Sequence, residues 1–488
     1  MYLSKSKYTL GLQCEKILWL DKNKSEVKEE INNDNVLDNG TEVGILAQDL
    51  FDNKKVVEFS KDLSKMIDDT KKYLKEENIN LCEASFSYNN NFCSVDILKK
   101  VKDTYEIYEV KSSTHVSDIY LDDVSYQYYV LSNLGLMVKK CYVVTLDSSY
   151  VRVGSLDLNK LFKLNDVTDI VLEKQDLVKN TILKINNYMD NTKEVDKPLG
   201  EYCFSPYPCP YFKYCSRNLP KNNLFNIRGM QLPSKIKLYN DGIVSYEDLL
   251  KTNINKKYKQ QIEMELYDLK PYINKNNIKK ELDTYYYPIY YLDFESYQVS
   301  VPEFDYTSPY QQIPFQYSLH IEDENHNLTH KEFLSESNID PRRKLALSLV
   351  RDIPKDSCVL AYNMAFERMI IRHLASLYPD LREHLLNIHD HIKDLIIPFR
   401  QRDYYSKEMY GSFSIKYVLP ALFPNDPALD YHNLDLIHKG DEASSSFIAM
   451  RTMDEEERSK VRKALLKYCE LDTFAMVKIL DKLRSVID

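Results

Sequence analysis

Apolar and polar positions alternate with strand periodicity in three closely spaced runs of the N-terminal half: Leu81–Tyr88, Phe92–Lys99 and Tyr105–Val110. Each run predicts a β-strand. Upstream, Val43, Leu46, Ala47 and Leu50 recur at helical spacing within Gly40–Phe51, and a charged helix is expected from Leu63 to Lys75. Downstream, the pattern predicts a helix over Leu121–Leu134 and a strand over Lys140–Leu146. Strands and helices in this order predict a mixed α/β sheet.

The pattern changes after residue 216. The segment LPSKIKLYNDGIVSYEDLLKT predicts two short helices joined by a turn at Asp241-Gly242, a helix-hairpin-helix-like connector. The rest of this stretch is helical and lysine-rich, equally suited to a spacer or to a clamp on a nucleic-acid backbone. From residue 286 a buried strand is expected at Tyr287–Phe294, a second at Phe315–Ile321 and a third in CVLAYN. The third leads into a helix over Phe366–Leu377, and a long helix is expected from Asp454 onward. The predicted organisation is therefore 1–216, 217–285 and 286–488, within 488 residues.

Composition narrows the class. No run of 18 apolar residues occurs, and MYLSKSKYTLGLQCEKILWL interrupts its apolar residues with charges, so neither a membrane span nor a signal peptide is expected. The expected location is cytoplasmic. There, nine cysteines point to metal binding or buried thiols rather than disulfides. The net charge of −9 gives no global attraction for polyanions. Lys99, Lys100 and Lys102, Lys139 and Lys140, and Lys256, Lys257 and Lys259 are local phosphate-binding candidates, or simply solvated surface.

Two sets of carboxylates carry candidate chemistry. In the first, Asp96 in FCSVDIL sits at or near the end of a strand, and Glu109 and Lys111 in YEVKSS lie two apart on the next, facing one side. Two carboxylates can hold Mg²⁺ against a phosphate, and a lysine can orient the attacking water. This spacing alone is common on charged strands. Cys203, Cys209 and Cys215 recur with five residues between each pair, and Cys14 lies 189 positions before Cys203. Four thiolates suit an iron–sulfur cluster or tetrahedral zinc. Cys82, Cys93, Cys141, Cys358 and Cys469 sit in apolar runs and are expected to be packing residues. Glu83 is a candidate support for the first set, or a surface carboxylate.

In order, Cys14, Gly44, Asp96, Glu109, Lys111, Gln127 with Tyr128, and the three late cysteines resemble the iron–sulfur branch of the RecB-family PD-(D/E)XK nucleases, over about 200 residues. The resemblance implies a restriction-endonuclease-like fold, with a [4Fe–4S] cluster on Cys14, Cys203, Cys209 and Cys215. It also implies divalent-metal catalysis by Asp96, Glu109 and Lys111, with Gln127 near the substrate. The family's metal-ligating histidine, four residues after the glycine, is replaced here by Gln48.

In the second set, Asp293 and Glu295 in YYLDFES share one face of an otherwise apolar strand. Burying both without a cation is costly. Asn363 and Glu367 begin a helix in AYNMAFERM, and Tyr468 and Asp472 lie four apart on one helical face. With Asp394 and GSFSIKYVLP between them, these motifs resemble the DnaQ-like branch of the RNase H-like fold in its tyrosine (DEDDy) form. Glu367 stands where that family usually has aspartate. The resemblance implies that Asp293, Glu295, Glu367 and Asp472 hold two Mg²⁺ or Mn²⁺ ions while Tyr468 positions water. The whole arrangement resembles a bacterial family that fuses the two nuclease types.

The expected protein is thus an α/β chain with an N-terminal PD-(D/E)XK domain, a small helical connector and a C-terminal RNase H-like 3′–5′ exonuclease domain. Its expected function is metal-dependent hydrolysis of DNA, single-stranded or at free ends, in repair or defence. The alternatives are a nucleic-acid-binding protein with one inactive centre, or an exonuclease that processes RNA.

Overall fold

The computed structural model describes residues 2–30 and 34–487. The chain divides into two compact units, Met1–Asn218 with Val299–Gln311, and Leu219–Gln298 with Gln312–Asp488. The fold is mixed α/β throughout. Among the described residues no helix is long and apolar enough to cross a membrane.

The first unit is built on a mixed sheet. Three antiparallel strands, Asn78–Tyr88, Asn91–Val101 and Thr104–Val110, form its centre. Helix Asp118–Asn133 then crosses over to Met137–Leu146, which pairs parallel with Thr104–Val110, as a parallel neighbour requires. Lys54–Val56 and Phe162–Asp166 lie at the two ends of the strand order. Leu3–Ser4 adds parallel to the start of Asn91–Val101. The crossover helix buries Val124, Tyr126, Val130 and Leu131 against Leu81, Val95, Leu98 and Ile107 of the sheet. Helix Gln175–Met189, not anticipated from the pattern, closes this core with Val178, Ile182 and Ile185. The helix expected at Gly40–Phe51 runs over Asp34–Gln48 instead. Segment 299–311 belongs to this unit: Val301 and Tyr310 pack near Val43, Ile97 and Tyr108, and the Tyr310 hydroxyl donates to the Ser112 carbonyl at 2.6 Å.

The second unit holds a five-stranded sheet, in the order Leu328–Leu334, Ile313–Glu322, Ile289–Tyr297, Cys358–Ala361, Ile392–Asp394. The first two pairings are antiparallel and the last two parallel. Ile289–Tyr297 is central and almost wholly buried, which explains its unbroken apolar character on both faces. Helix Glu455–Ile487 crosses it. Its phase is set by two polar ties. Gln316 Nε2 donates to the Leu465 carbonyl at 2.8 Å, and the Ser318 and Thr473 hydroxyls are 2.7 Å apart. The connector residues join this unit. Helices Leu232–Asn240, Tyr246–Leu250 and Lys256–Leu266 pack around Leu224, Tyr246, Leu249 and Ile262.

Candidate active site

On the buried strand Ile289–Tyr297, Asp293 and Glu295 point to the same face. The phase of the long helix aims Asp472 at that face, so that Asp293, Glu295 and Asp472 each bring an oxygen within 4.8 Å of the others. Glu367, in the first turn of helix Ala365–Leu377, adds a fourth carboxylate that acts on Asp293 and Glu295. It is buried, and its Oε2 has no hydrogen-bond partner. Leaving a buried acceptor unpaired costs about 1–3 kcal/mol, more when it is charged.

Tyr468 lies one helical turn before Asp472 and acts on it electrostatically. Tyr431 donates to Asp472 Oδ1 at 2.5 Å, and its ring centroid is 5.9 Å from that of Tyr468. Cys469 Sγ is 3.7 Å from Asp293 Oδ2, so this thiol touches the acids as well as filling the core. Gly440 lies beside Glu295, with room for a Cβ in ordinary contact at 3.6 Å from Oε2.

Electrostatically the cluster repels itself. Burial, then Asp472, Glu295 and Glu367, push Asp293 well above the usual carboxylate range. Glu295 rises for the same reasons, with only Lys416 opposing. Burial carries Asp472 up to about 6 and, with Asp394 adding, Glu367 up to about 8. The folded state therefore keeps protons that an unfolded chain, with carboxyl pKa values of about 4, has lost. Stability from these groups is retained at low pH and lost as pH rises through about 6 and 8. A divalent cation would replace the protons. Chelated protein is expected to melt lower at pH 8 than at pH 5, to the extent that this site decides. Mg²⁺ or Mn²⁺ at about a hundred times Kd should restore about 5–10 °C at pH 8 and much less at pH 5. Melting curves that ignore the cation at both pH values would count against a metal site.

Asp394 was expected in this region and has a different task. Its Oδ1 accepts from the backbone N–H of Asn363 at 2.9 Å and of Ile396 at 3.2 Å. It thereby pins the turn, with Asn363 at φ 69°, that launches the Glu367 helix. Asn363 precedes that helix and is exposed.

In the first unit, Asp96 lies within its strand, not at the end as expected; its Oδ2 accepts from Val110 N–H at 2.7 Å. Glu109 is buried and fully engaged. Its Oε1 takes Lys5 at 2.6 Å and Lys111 at 2.8 Å, and its Oε2 takes Gln127 Nε2 at 2.6 Å. Lys111 also meets Asp123 Oδ2 at 2.5 Å. Glu83 lies opposite Asp96 with φ 57°, and Lys5 and Glu109 act on it. Burial pushes Glu109 up, but Lys111 and Lys5 outweigh it and hold the carboxyl at about 2. Asp96, with burial and Glu109 against it, rises to about 7. Two lysines thus do here what the second site leaves undone. Lys5 was not anticipated, since nothing local marks it. It is placed by the Ser4 N-cap of helix Lys5–Gln13. Asp123 could have been found, because it precedes Gln127 by one helical turn. Gln48 is half-buried at the last residue of its helix.

Cys14, at the junction of helices Lys5–Gln13 and Glu15–Asn23, lines one cavity together with Cys203, Cys209 and Cys215. The walls are Ile17, Leu20, Leu199, Tyr202, Tyr211 and Phe212. Gln13 Nε2 holds the late loop in place by donating to the Tyr202 and Tyr207 carbonyls, each at 2.8 Å. Burial and the neighbouring thiols push Cys209 up to about 12 and raise Cys203 and Cys215. Among the described residues only the Asp293 group brings three potential ligand atoms within 4.8 Å of one another.

Residues 290–414 match a domain of unknown function (DUF2779). The match takes in Asp293, Glu295, Asn363, Glu367 and Asp394 and ends before Tyr468 and Asp472. No curated protein matches the chain.

Proposed function

We propose that this chain is a metal-dependent nuclease whose principal centre is the acid cluster of the second unit, in an RNase H-like domain of the DnaQ type. The observation that carries the reading is the convergence of Asp293, Glu295 and Asp472 within 4.8 Å, beside the unpartnered buried oxygen of Glu367. Four acids from three distant segments do not gather in a core without a cationic partner. Lys416 acts on Glu295 and Asp472 from outside the cluster.

Asp293, Glu295, Glu367 and Asp472 would hold Mg²⁺ or Mn²⁺, and the bound ions would supply Lewis-acid stabilisation of a phosphodiester and of the attacking water. The chain's own contribution is positional. Tyr431 holds Asp472 by its hydroxyl, and Tyr468, one turn before Asp472, would orient the attacking water. Lys416 offers a positive charge for a phosphate. The buried strand and helix keep the acids in register. The expected substrate is DNA with single-stranded or free ends, with RNA as the alternative.

The first unit fits a PD-(D/E)XK-type fold, with Cys14, Cys203, Cys209 and Cys215 holding a [4Fe–4S] cluster in their apolar cavity. Tetrahedral zinc on the same four thiolates is the alternative. For the Asp96–Glu109 centre a second reading has its own support. Lys5 and Lys111 already neutralise Glu109, which favours a nucleic-acid grip over a working metal site.

The test is cleavage of labelled DNA and RNA with Mg²⁺ or Mn²⁺, each centre disabled separately. Activity should survive Glu109→Ala with Lys111→Ala if that centre only grips, at the expense of a higher KM. Loss of all activity in this double variant, with Asp293 intact, would instead make the first centre the catalytic one.

A further inference from the structure

The second unit contains another polar cavity, of about 660 Å³, between the connector and helix Ile415–Leu422. Three cations line it, Lys221, Arg228 and Lys235, together with the aromatic residues Phe225, Tyr410 and Tyr417. Glu265 is the acid in its lining, and both its oxygens are occupied, by Gln261 Nε2 and the Tyr246 hydroxyl, each at 2.9 Å. We propose that this cavity binds single-stranded nucleic acid and passes the strand to the acid cluster, so that the connector is part of the substrate track. The proposal rests on the nuclease reading for its direction, not for the binding itself.

Four observations support it. The lining pairs positive charge with flat rings, the combination that holds a sugar-phosphate backbone while stacking unpaired bases. Arg228 illustrates the pairing: its guanidinium lies 5.1 Å from the centroid of the Tyr417 ring, and Nη2 donates to the Tyr417 hydroxyl at 2.7 Å.

The cations are also crowded. Lys235 is half-buried, and its Nζ meets only a neutral acceptor in the connector, the Phe225 carbonyl at 3.0 Å. Burial and Arg228 both lower its pKa. A phosphate between the two would relieve that repulsion.

The loop that brings Tyr410 to the cavity is held at a conformational cost. Tyr410 and Gly411 are both left-handed, at φ 48° and 72°. A Cβ on Gly411 would lie 2.2 Å from Gln261 Oε1 and 2.9 Å from Arg228 Cβ, so only glycine allows this approach to the connector. Tyr410 itself remains 58% exposed. Its ring is thereby held in solvent at the cavity, where an unpaired base can stack on it.

Finally, the cavity and the acids share a helix. Tyr417 lines the cavity, and its neighbour Lys416 acts electrostatically on Glu295 and Asp472. One short helix, Ile415–Leu422, thus carries both a ring of the cavity and a charge that acts on the acids.

The test uses the full chain carrying Asp293→Asn, to prevent cleavage, and a fluorescent oligothymidylate or oligouridylate of about twelve nucleotides, followed by anisotropy. Lys221→Gln, Arg228→Gln and Tyr410→Ser together should weaken binding about tenfold or more, and the salt dependence should fall by about 1.4 in log–log slope, for two lost phosphate contacts. The exposed Lys221→Gln alone should remove about half of that slope change, which guards against misfolding of the triple variant. Duplex DNA of equal length should compete poorly. With Asp293 restored, the triple variant should lose cleavage of the oligonucleotide but keep hydrolysis of the small p-nitrophenyl ester of thymidine monophosphate. Unchanged affinity and salt slope, or duplex competing as well as single strand, would overturn the proposal. A chain that hydrolyses neither substrate, but whose binding falls as described, would refute the nuclease reading and leave the binding site standing.

Discussion

Asp293→Asn is expected to abolish hydrolysis by the second unit while making the metal-free protein harder to unfold. The two effects have one cause. Asp293 lies in a central, buried strand among Glu295, Glu367 and Asp472, so its charge raises the pKa of its neighbours as theirs raise its own. Asparagine keeps the shape, removes one negative charge and relieves the rest. At pH 8 in chelator the variant should therefore melt higher than wild type, and the gain should vanish as the pH falls through about 6. The same change removes a metal ligand, and the loss in rate should be on the order of 10³-fold or more, as when one group stabilising transition-state charge is deleted. Mg²⁺ should no longer raise the melting temperature by the wild-type amount. Tyr468→Phe leaves all four acids and removes one hydroxyl. Its rate should fall about 10–100-fold, the scale for a partner of a ligand, with metal-induced stabilisation retained. A structural acid would behave in the opposite way. Asp293→Asn would then lower the melting temperature and leave every nuclease activity of the chain in place.

The mixed α/β character of both halves was legible because it rests on local periodicity. Asn78–Tyr88, Asn91–Val101 and Thr104–Val110 are short runs rich in apolar and β-branched or aromatic residues, and Ile289–Tyr297 is an apolar run interrupted by Asp293, Glu295 and Ser296. Elements without such contrast were not legible. Leu328–Leu334 is mostly exposed, and Phe162–Asp166 has a single buried residue, so neither carries an apolar face to read. Segment 299–311 shows a further limit: its membership of the first unit depends on Val301 and Tyr310 finding a distant core, which no local pattern encodes.

The same division runs through the candidate sites. Carboxylates two apart on a strand or four apart on a helix announce a shared face, which is why Asp293 with Glu295 and Tyr468 with Asp472 could be named in advance. Partners supplied by tertiary packing could not. Tyr431 reaches Asp472 from 41 positions away, and Lys5 reaches Glu109 from 104. Their identity depends on where a short 3₁₀ turn and an N-capped helix come to rest. Lys5 matters most among these, because it changes the chemistry of its centre. A glutamate holding two ammonium groups and an amide has no free oxygen for a cation unless a lysine moves away.

Cys203→Ser is expected to cost the first unit more stability than any other single change proposed, and to do so only in protein loaded with the proposed cluster. Cys14 belongs to the first helices and Cys203, Cys209 and Cys215 to a loop that follows the sheet, so a group bound to all four closes a loop of 189 positions between Cys14 and Cys203. By the entropy of loop closure such a link is worth about 5 kcal/mol, and binding energy at a site absent from the unfolded chain is folding energy. The cavity cannot replace it by packing. Burial and the neighbouring thiols push Cys203, Cys209 and Cys215 up, so without a metal these three stay protonated among apolar walls and contribute no more than small hydrophobes. Anaerobically purified wild type should be brown and contain iron and sulfide, and removing the iron with a chelator should bring its melting temperature down to that of Cys203→Ser. The mutation should then change apo protein little. Colourless protein with one zinc per chain would refute the cluster while keeping the link. Metal-free protein that melts as high as metal-loaded protein, with Cys203→Ser indistinguishable from both, would leave these four cysteines as packing residues and nothing more.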